Sequence, residues 1–161
     1  MRGAILIVCL LLVSCTAEPK EELETLRIED TIMEKVTLTT TDGTRIIGSH
    51  YPAISETGII LLHQLNLDRH SYDEFVPLLK EYNTISVDFR GHGESEGDWK
   101  SFTDEDFLAM QEEVDAAKDV LRASGSSKFI IIGASIGANT AINYGASHEE
   151  VVGVAALSPG L

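Results

Sequence analysis

The sequence predicts an α/β fold with a mostly parallel sheet, helices on both of its faces and an antiparallel hairpin at the start. Two uninterrupted apolar runs, within residues 58–63 and 128–134, are typical of strands that are buried on both faces of a parallel sheet. After the hairpin, strand and helix patterns alternate along the chain. A strand, a tight turn and a helix also follow one another without a spacer over residues 128–146. A chain of 161 residues is expected to form one domain.

The hairpin is predicted over residues 33–51. Apolar and polar residues alternate from Val36 onward, and Asp42-Gly43 supplies a turn that is common between antiparallel strands. The first strand of the parallel part of the sheet is expected at residues 58–63.

A helix is predicted over residues 72–82. Ser71 and Glu74 have the spacing of a capping box, and apolar residues follow at helical intervals. The next strand is expected at residues 84–88, and a loop with three glycines follows at 89–99.

A second helix is predicted to begin at Thr103, with Asp106 as its capping partner, and to end at Gly125. One face of this helix is apolar, whereas its acidic residues mostly face solvent. The apolar stripe consists of Phe107, Met110, Val114, Ala117 and Leu121. A final strand is expected at residues 151–157.

Ser135 is the candidate nucleophile. It lies in the run Gly133-Ala134-Ser135-Ile136-Gly137, between a β-branched strand and a helix of small residues. In a G-x-S-x-G turn the serine adopts a strained backbone conformation, and the two glycines let the helix pack close to the strand. We therefore expect the serine hydroxyl to be exposed at the edge of the sheet. A serine between glycines can also be a plain turn or part of a phosphate-binding loop, so these interpretations stay open.

Three motifs lie at the ends of successive predicted strands. His63-Gln64-Leu65 follow the third strand, Asp-Phe-Arg-Gly-His-Gly-Glu-Ser at residues 88–95 follows the fourth, and the serine turn follows the fifth. Together they resemble the α/β-hydrolase superfamily, and within it the dienelactone-hydrolase-like and related small esterases. The resemblance extends from Met33 to the end of the sequence. It implies the α/β-hydrolase fold and hydrolysis of carboxylic esters through an acyl-enzyme at the turn serine.

The same resemblance implies an oxyanion hole. Its donors would be the backbone N–H of Ile136, directly after the nucleophile, and the backbone N–H of Leu65. Each such donor contributes about 3 kcal/mol to the stabilisation of the transition state. His63 and Gln64 would support the loop, His63 as a buried histidine bonded to neighbouring backbone. Gln64 stands where many relatives have glycine. Peptidases and thioesterases use the same triad, so the reaction subtype stays open.

His92 is a weaker candidate for a catalytic base, because the resemblance implies a structural role for its glycine loop. Asp88, Arg90 and Ser95 are expected to fix that loop by hydrogen bonds. No two histidines have metal-ligand spacing on one helix, so we expect no metal and no cofactor. The remaining histidines are expected to lie at the surface or in loops without partners: His50, His70 and His148.

Residues 1–14 have the pattern of a signal peptide, with one positive charge at Arg2 and an apolar run that is too short for a transmembrane helix. The run ends in Leu-Val-Ser-Cys15, which resembles a lipobox, so Cys15 is the expected lipidation site. An ordinary cleaved signal or an uncleaved anchor are the alternatives. Residues 15–31 are interpreted as an acidic tether and 32–161 as the hydrolase domain. We expect the domain to work outside the cytoplasm, anchored to a membrane.

The chain is strongly acidic. Its net charge is −14, and removal of residues 1–14 takes away only Arg2 and leaves −15. Such a surface repels phosphate backbones, which excludes nucleic acid as an expected partner. Membrane attachment would then come from the lipid, and the expected ligand is a small ester.

The catalytic base and acid are not evident after Ser135. In the α/β-hydrolase family the triad follows the chain order Ser, acid, His. Only His148, Glu149 and Glu150 follow the serine, and they lie past the far end of the predicted helix. We therefore expect an N-terminal portion of a hydrolase, without the acid, the base and the last strands, that is weakly active or inactive. The alternative is a lipoprotein whose degenerate hydrolase scaffold does not catalyse.

Overall fold

A computed structural model describes residues 32–160, which form one mixed sheet of six strands in the order β1-β2-β4-β3-β5-β6. The strands are β1 (Glu34–Thr39), β2 (Arg45–Tyr51), β3 (Thr57–Leu62), β4 (Asn83–Val87), β5 (Lys128–Ala134) and β6 (Val151–Leu157). The α-helices are α1 (Asp104–Ala109), α2 (Gln111–Ala123) and α3 (Ile136–Gly145). Short 3₁₀ turns occur at Arg69–Tyr72, Val76–Leu79 and Trp99–Ser101.

The pairing of the strands agrees with the expected fold class. β1 and β2 form the antiparallel hairpin, and β2 continues antiparallel to β4. The pairs β3–β4, β3–β5 and β5–β6 are all parallel. The carboxyl ends of β3, β4, β5 and β6 therefore lie at one edge of the sheet, where the three motifs follow their strands.

The larger core lies between the sheet and the helices α2 and α3. Ile60 and Leu62 of β3 are fully buried there with Val114 and Leu121 of α2. Intervening residues such as Ile59 pack under the 3₁₀ turns on the opposite face, because successive side chains of a strand point to opposite faces. The expected hairpin and mostly parallel sheet, covered on both faces, are confirmed.

The prediction of a helix over residues 72–82 is wrong. The segment forms two short 3₁₀ turns, and the first is capped by Asp68, whose carboxylate accepts a hydrogen bond from the His70 N–H at 2.9 Å. Pro77 explains the difference. It would lie inside the predicted helix, where it lacks an N–H and its ring would clash with the carbonyl of Asp73. Ser71 does not cap a helix; its hydroxyl donates to the Asp68 carbonyl at 2.8 Å.

The helix predicted from Thr103 to Gly125 is confirmed at both ends. The Thr103 N–H donates to the Asp106 carboxylate at 2.7 Å, and Gly125 has a φ of +101°. The structure divides the segment at Met110 into α1 and α2, a break that the pattern did not predict. Met110, Val114, Ala117 and Leu121 are all buried, and Phe107 packs against them.

The loop that follows β4 is fixed around Asp88, as expected. The buried Asp88 carboxylate accepts hydrogen bonds from the N–H groups of Arg69 at 2.7 Å and Glu94 at 2.9 Å. The Ser95 hydroxyl donates to the Asp88 carbonyl at 2.7 Å and accepts from the Ile47 N–H at 2.9 Å. These bonds join the loop both to the 3₁₀ turn beside it and to β2.

Arg90 joins the same loop to α2 and to the hairpin. Its guanidinium donates to Glu113 at 2.7 Å and to Asp42 at 2.8 Å. Glu113 is fully buried, which is an exception to the expectation that the acidic residues of this segment face solvent. Burial raises the pKa of Glu113, and Arg90 partly offsets that effect.

Three sequence predictions concern residues outside the range 32–160. The signal peptide at residues 1–14, the lipidation site Cys15 and the tether at 15–31 lie outside the described residues, as does Leu161 at the end of the predicted domain. Among residues 32–160, no helix has the length and apolar character needed to cross a membrane.

Candidate active site

Ser135 occupies a strained turn between β5 and α3. It is one of two non-glycine residues in the described chain with a positive φ, and its φ and ψ are 51° and −112°. Such a conformation typically costs about 1–3 kcal/mol and persists only where the surroundings enforce it. Here the Ser135 N–H donates to the Leu157 carbonyl at 2.9 Å, and its carbonyl accepts from the Asn139 N–H at 3.1 Å. β6 and α3 therefore hold the turn from both sides.

The two glycines of the turn permit a close approach that no other residue allows. A Cβ on Gly133 would overlap the carbonyl of Gly137. A Cβ on Gly137 would overlap the Leu62 carbonyl at the end of β3 and would lie 2.8 Å from the His63 carbonyl oxygen. The first turn of α3 thus packs directly against the backbone at the ends of β5 and β3.

This packing brings the two expected oxyanion donors to the same edge of the sheet. Ile136 is the first residue of α3, and the first N–H groups of a helix have no intrahelical partner. Leu65 lies in the short loop that follows β3, beside the carbonyl groups that Gly137 contacts. The Leu65 N–H makes no hydrogen bond with any residue in the range 32–160. Within the described chain the Leu65 N–H is thus available to a ligand, and the positive end of the α3 dipole faces the same region.

His63 is buried and supports the loop after β3, residues 63–67, which is the expected oxyanion loop. Its Nδ1 donates to the Gln64 carbonyl at 2.8 Å, and its Nε2 accepts from the Phe89 N–H at 3.1 Å. These two contacts define the neutral tautomer with the proton on Nδ1. Burial lowers the pKa of His63 to about 4. Because both ring nitrogens are occupied, His63 has none left to take a proton from Ser135.

His92 connects the loop after β4 to the oxyanion loop. Its Nε2 lies 2.7 Å from the Leu65 carbonyl oxygen, and its Nδ1 lies 2.9 Å from that of Arg90. The ring stacks on Trp99 with 5.6 Å between centroids. Both nitrogens face backbone carbonyls, so His92 does not act on Ser135 in this arrangement. The sequence did not predict the bond to Leu65, since 27 residues separate the two positions.

The acids and the histidine that follow Ser135 lie far from it. His148 Nδ1 contacts the Tyr144 carbonyl at 2.7 Å, and Glu150 accepts hydrogen bonds from Lys118 at 3.1 Å and from Arg122 at 3.0 Å. These contacts lie at the carboxyl end of α3, roughly 15 Å along the helix axis from the turn. Within the described chain, the Ser135 hydroxyl has no hydrogen-bond partner.

The expectation that three histidines lack partners is wrong. His50 is buried and its Nε2 is 2.8 Å from the Asn83 side-chain oxygen, His70 contacts Asp73 at 3.0 Å, and His148 is bonded as described. Only the pair of His50 with Asn83 depends on how two strands meet, because the partners of His70 and His148 lie within four residues along the chain. No group of three or more histidine, cysteine or acidic side chains in residues 32–160 has the geometry to hold a metal ion.

A family model described as alpha/beta hydrolase fold matches residues 58–159. The chain belongs to the α/β-hydrolase family. Its sheet order, with the serine turn after β5, agrees with this assignment. A comparison with curated proteins gave no match.

Solved structures resemble this α/β-hydrolase chain over most of its length. The esterase Pf2001 of Pyrococcus furiosus is 28% identical with a TM-score of 0.68, and the match covers 80% of this chain and 52% of that one. The bottromycin epimerase BotH is 27% identical with a TM-score of 0.63, covering 75% of this chain and 47% of that one. Epoxide hydrolase A of Mycobacterium thermoresistibile shares the fold. It is 19% identical with a TM-score of 0.63, and the match covers 76% of this chain and 38% of that one. The chain spans about half the length of the solved esterase it resembles.

An open cavity lies beside the serine turn of the α/β-hydrolase chain. It has a volume of about 500 Å³ and lies between α1 and α3, and Ile136 contributes to its wall. The sequence pattern gave no sign of it, because its lining comes from segments about 30 residues apart that meet only in the fold.

Replacement of Gly137 by alanine tests the close packing at the turn. We expect Gly137→Ala to lower the free energy of unfolding by about 3 kcal/mol, because the new methyl group overlaps the Leu62 carbonyl. Gly153→Ala is the matched control, since its methyl group meets only ordinary contacts at 3.6 Å and beyond. Urea unfolding of both variants measures the difference. Equal stabilities would contradict the packing described for Gly137.

The low pKa of His63 predicts a stability change with pH. The unfolded chain takes up a proton on this histidine below about pH 6.5, whereas the folded chain does so only near the lowered pKa of about 4. The contribution of the neutral His63 to stability is therefore fully present above about pH 6.5 and is lost as the pH falls toward 4. We expect the free energy of unfolding to fall by about 2 kcal/mol between about pH 7 and about pH 5.

His63→Gln should remove most of that pH dependence, and the exposed His70→Gln should retain it. Urea unfolding series at several pH values provide the comparison. An unchanged slope in His63→Gln would show that another group is responsible.

Proposed function

We propose that the chain carries the nucleophile of a serine hydrolase that acts on carboxylic esters through an acyl-enzyme at Ser135. The observation that carries this proposal is the strained turn itself. Ser135, which is not a glycine, is held at a φ of 51°. The glycines on either side of it are required because the helix packs so close to the strands that neither position has room for a Cβ. The resemblance to a solved esterase at 28% identity supports the choice of ester substrates.

In the proposed reaction the Ser135 oxygen attacks the ester carbonyl carbon as a base removes its proton. The C=O π electrons move onto the carbonyl oxygen, which the N–H groups of Leu65 and Ile136 stabilise with about 3 kcal/mol each. Collapse of the tetrahedral intermediate breaks the bond to the alkoxy group, which leaves as the alcohol after protonation. Water then attacks the acyl-enzyme by the same steps and releases the carboxylic acid.

The base and the orienting acid of this scheme are not supplied by the described residues near Ser135. His63 and His92 are bonded to backbone groups, and His148 lies at the other end of α3. Loss of one triad member lowers the rate by several orders of magnitude. We therefore propose that the chain as given hydrolyses esters slowly.

A second candidate function follows from the same observation. No histidine or carboxylate among residues 32–160 is bonded to Ser135, so the fold can also serve as a non-catalytic scaffold. The bottromycin epimerase BotH, which this chain resembles, is named for a function other than ester hydrolysis. Peptidase and thioesterase activities are variants of the first proposal, because they use the same nucleophile and oxyanion donors.

Covalent labelling distinguishes the two candidates. We expect a fluorophosphonate to modify Ser135 slowly, and added imidazole to accelerate the modification by replacing the absent base. Ser135→Ala should abolish labelling, whereas Ser127→Ala, a change at an exposed serine before β5, should not alter it. Peptide mapping by mass spectrometry locates the adduct. A folded chain that shows no labelling at any imidazole concentration would support the non-catalytic scaffold.

We also propose that the protein is a lipoprotein outside the cytoplasm, attached to a membrane through a lipid on Cys15. The support is the sequence pattern of residues 1–15. In a bacterial host, Cys15→Ser should shift the protein from the membrane fraction and remove the mass of the lipid. Cys9→Ser is the matched control, because Cys9 lies inside the proposed signal peptide. Equal fractionation of the two variants would contradict lipidation at Cys15.

A further inference from the structure

The cavity between α1 and α3 begins one residue beyond the nucleophile. Ile136, which follows Ser135 directly, lines it, and so does Asn139, whose N–H is bonded to the Ser135 carbonyl at 3.1 Å. The volume of about 500 Å³ falls within the range of about 300–1,000 Å³ that is usual for sites of small organic molecules. Ser135 and Leu65 are not part of its lining, so Ile136 is the residue that joins the cavity to the serine turn. A molecule in the cavity would reach Ser135 past Ile136.

Part of the lining of the cavity is apolar. Phe107, Leu108, Met110 and Ile136 contribute to it. Met110 is buried in the core, so it anchors this wall, whereas Leu108 lies at the mouth with 61% of its surface exposed. An aryl or branched alkyl group can bury its apolar surface here, at about 25 cal/mol per Å² removed from water.

The rest of the lining is mostly polar. The side chains of Gln111, Asn139, Asn143 and Asp104 contribute to it, and none of them makes a hydrogen bond with another residue in the range 32–160. Each carboxamide can both donate and accept. Gln111 and Asn139 are partly buried. A plain alkyl chain would desolvate these two carboxamides without replacing their bonds to water, which is unfavourable. A hydroxyl or amide group on the occupant would satisfy them.

The charge around the cavity selects against anions. The Asp104 carboxylate is part of the wall, and the net charge of the chain is −14. A carboxylate on the occupant would meet like charge without a compensating cation in the lining. The favoured occupant is therefore uncharged.

We propose that this cavity is a substrate-binding site for the organic group of the ester, and that it selects an uncharged aryl or branched alkyl group that carries a hydroxyl or amide substituent. The proposal rests on the proposed function, because the cavity binds substrate only if Ser135 is the nucleophile. Binding itself can be measured without any turnover.

The test uses two ligands with the same apolar body, 3-phenylpropan-1-ol and 3-phenylpropanoate, and the full-length chain carrying Ser135→Ala. Ligand-observed NMR titrations give the dissociation constants. We expect the alcohol to bind and the carboxylate to bind about tenfold more weakly, which corresponds to the exclusion of the charge. Leu108→Trp should weaken binding of the alcohol by about tenfold, because the indole ring fills the mouth of the cavity. The double variant Asn139→Leu/Asn143→Leu should weaken it as well.

Ile142→Trp is the matched control. Ile142 is also an exposed aliphatic residue, with 44% of its surface accessible, and it lies on α3 outside the cavity. The alcohol should bind the Ile142→Trp variant as tightly as it binds the chain that carries Ser135→Ala alone. Equal binding in Leu108→Trp and Ile142→Trp, equal affinity for the two ligands, or no binding of the alcohol would each overturn the proposal.

A failure of the cavity proposal can be distinguished from a failure of the proposed hydrolase function. Binding that depends on Leu108, together with a failure of fluorophosphonate to label wild-type Ser135, contradicts the hydrolase function while leaving a binding site. Labelling of Ser135 without Leu108-dependent binding contradicts the assignment of the cavity alone.

Discussion

The contact between the first turn of α3 and the ends of β5 and β3 determines the rest of the site. It requires that residues 133 and 137 have no side chain, because a Cβ at either position would overlap a backbone carbonyl. With the helix held this close, Ser135 has no relaxed conformation available and stays at a positive φ. The strain is a small cost relative to the burial of Ala138, Ala141 and other α3 residues in the core.

The same contact places α3 beside the oxyanion loop, and the loop in turn is supported by two histidines. His63 is bonded to its own loop and to Phe89, and His92 is bonded to Leu65 and Arg90. Both therefore act on the backbone and leave the serine without a base among the described residues. The polar groups of Asp88 and Arg90 fix the second loop, so the ends of β3, β4 and β5 form one connected structure. We infer that the positions of Leu65 and Ile136 are set before any substrate binds.

The strands and the serine turn could be predicted from the sequence because their signals are local. The apolar run of β5 leads directly into glycines at fixed positions around Ser135, and Thr103 with Asp106 marks a helix start within four residues. The predicted helix over 72–82 does not form because Pro77 interrupts the apolar periodicity of that segment. Contacts between distant positions, such as His92 with Leu65 and Glu113 with Arg90, depend on the packing of loops and helices, and so does the cavity beside Ile136. No local pattern encodes them.

The central claim is that the fold places Ser135 as a nucleophile even where no base contacts it. The most direct measurement is peptide mapping of the full-length chain after prolonged incubation with p-nitrophenyl acetate. The account predicts slow acetylation that is selective for Ser135 over every other serine and lysine, because this hydroxyl lies at the turn beside the proposed oxyanion donors, the N–H groups of Leu65 and Ile136. Acetylation that is spread over surface lysines, with none at Ser135, would contradict it.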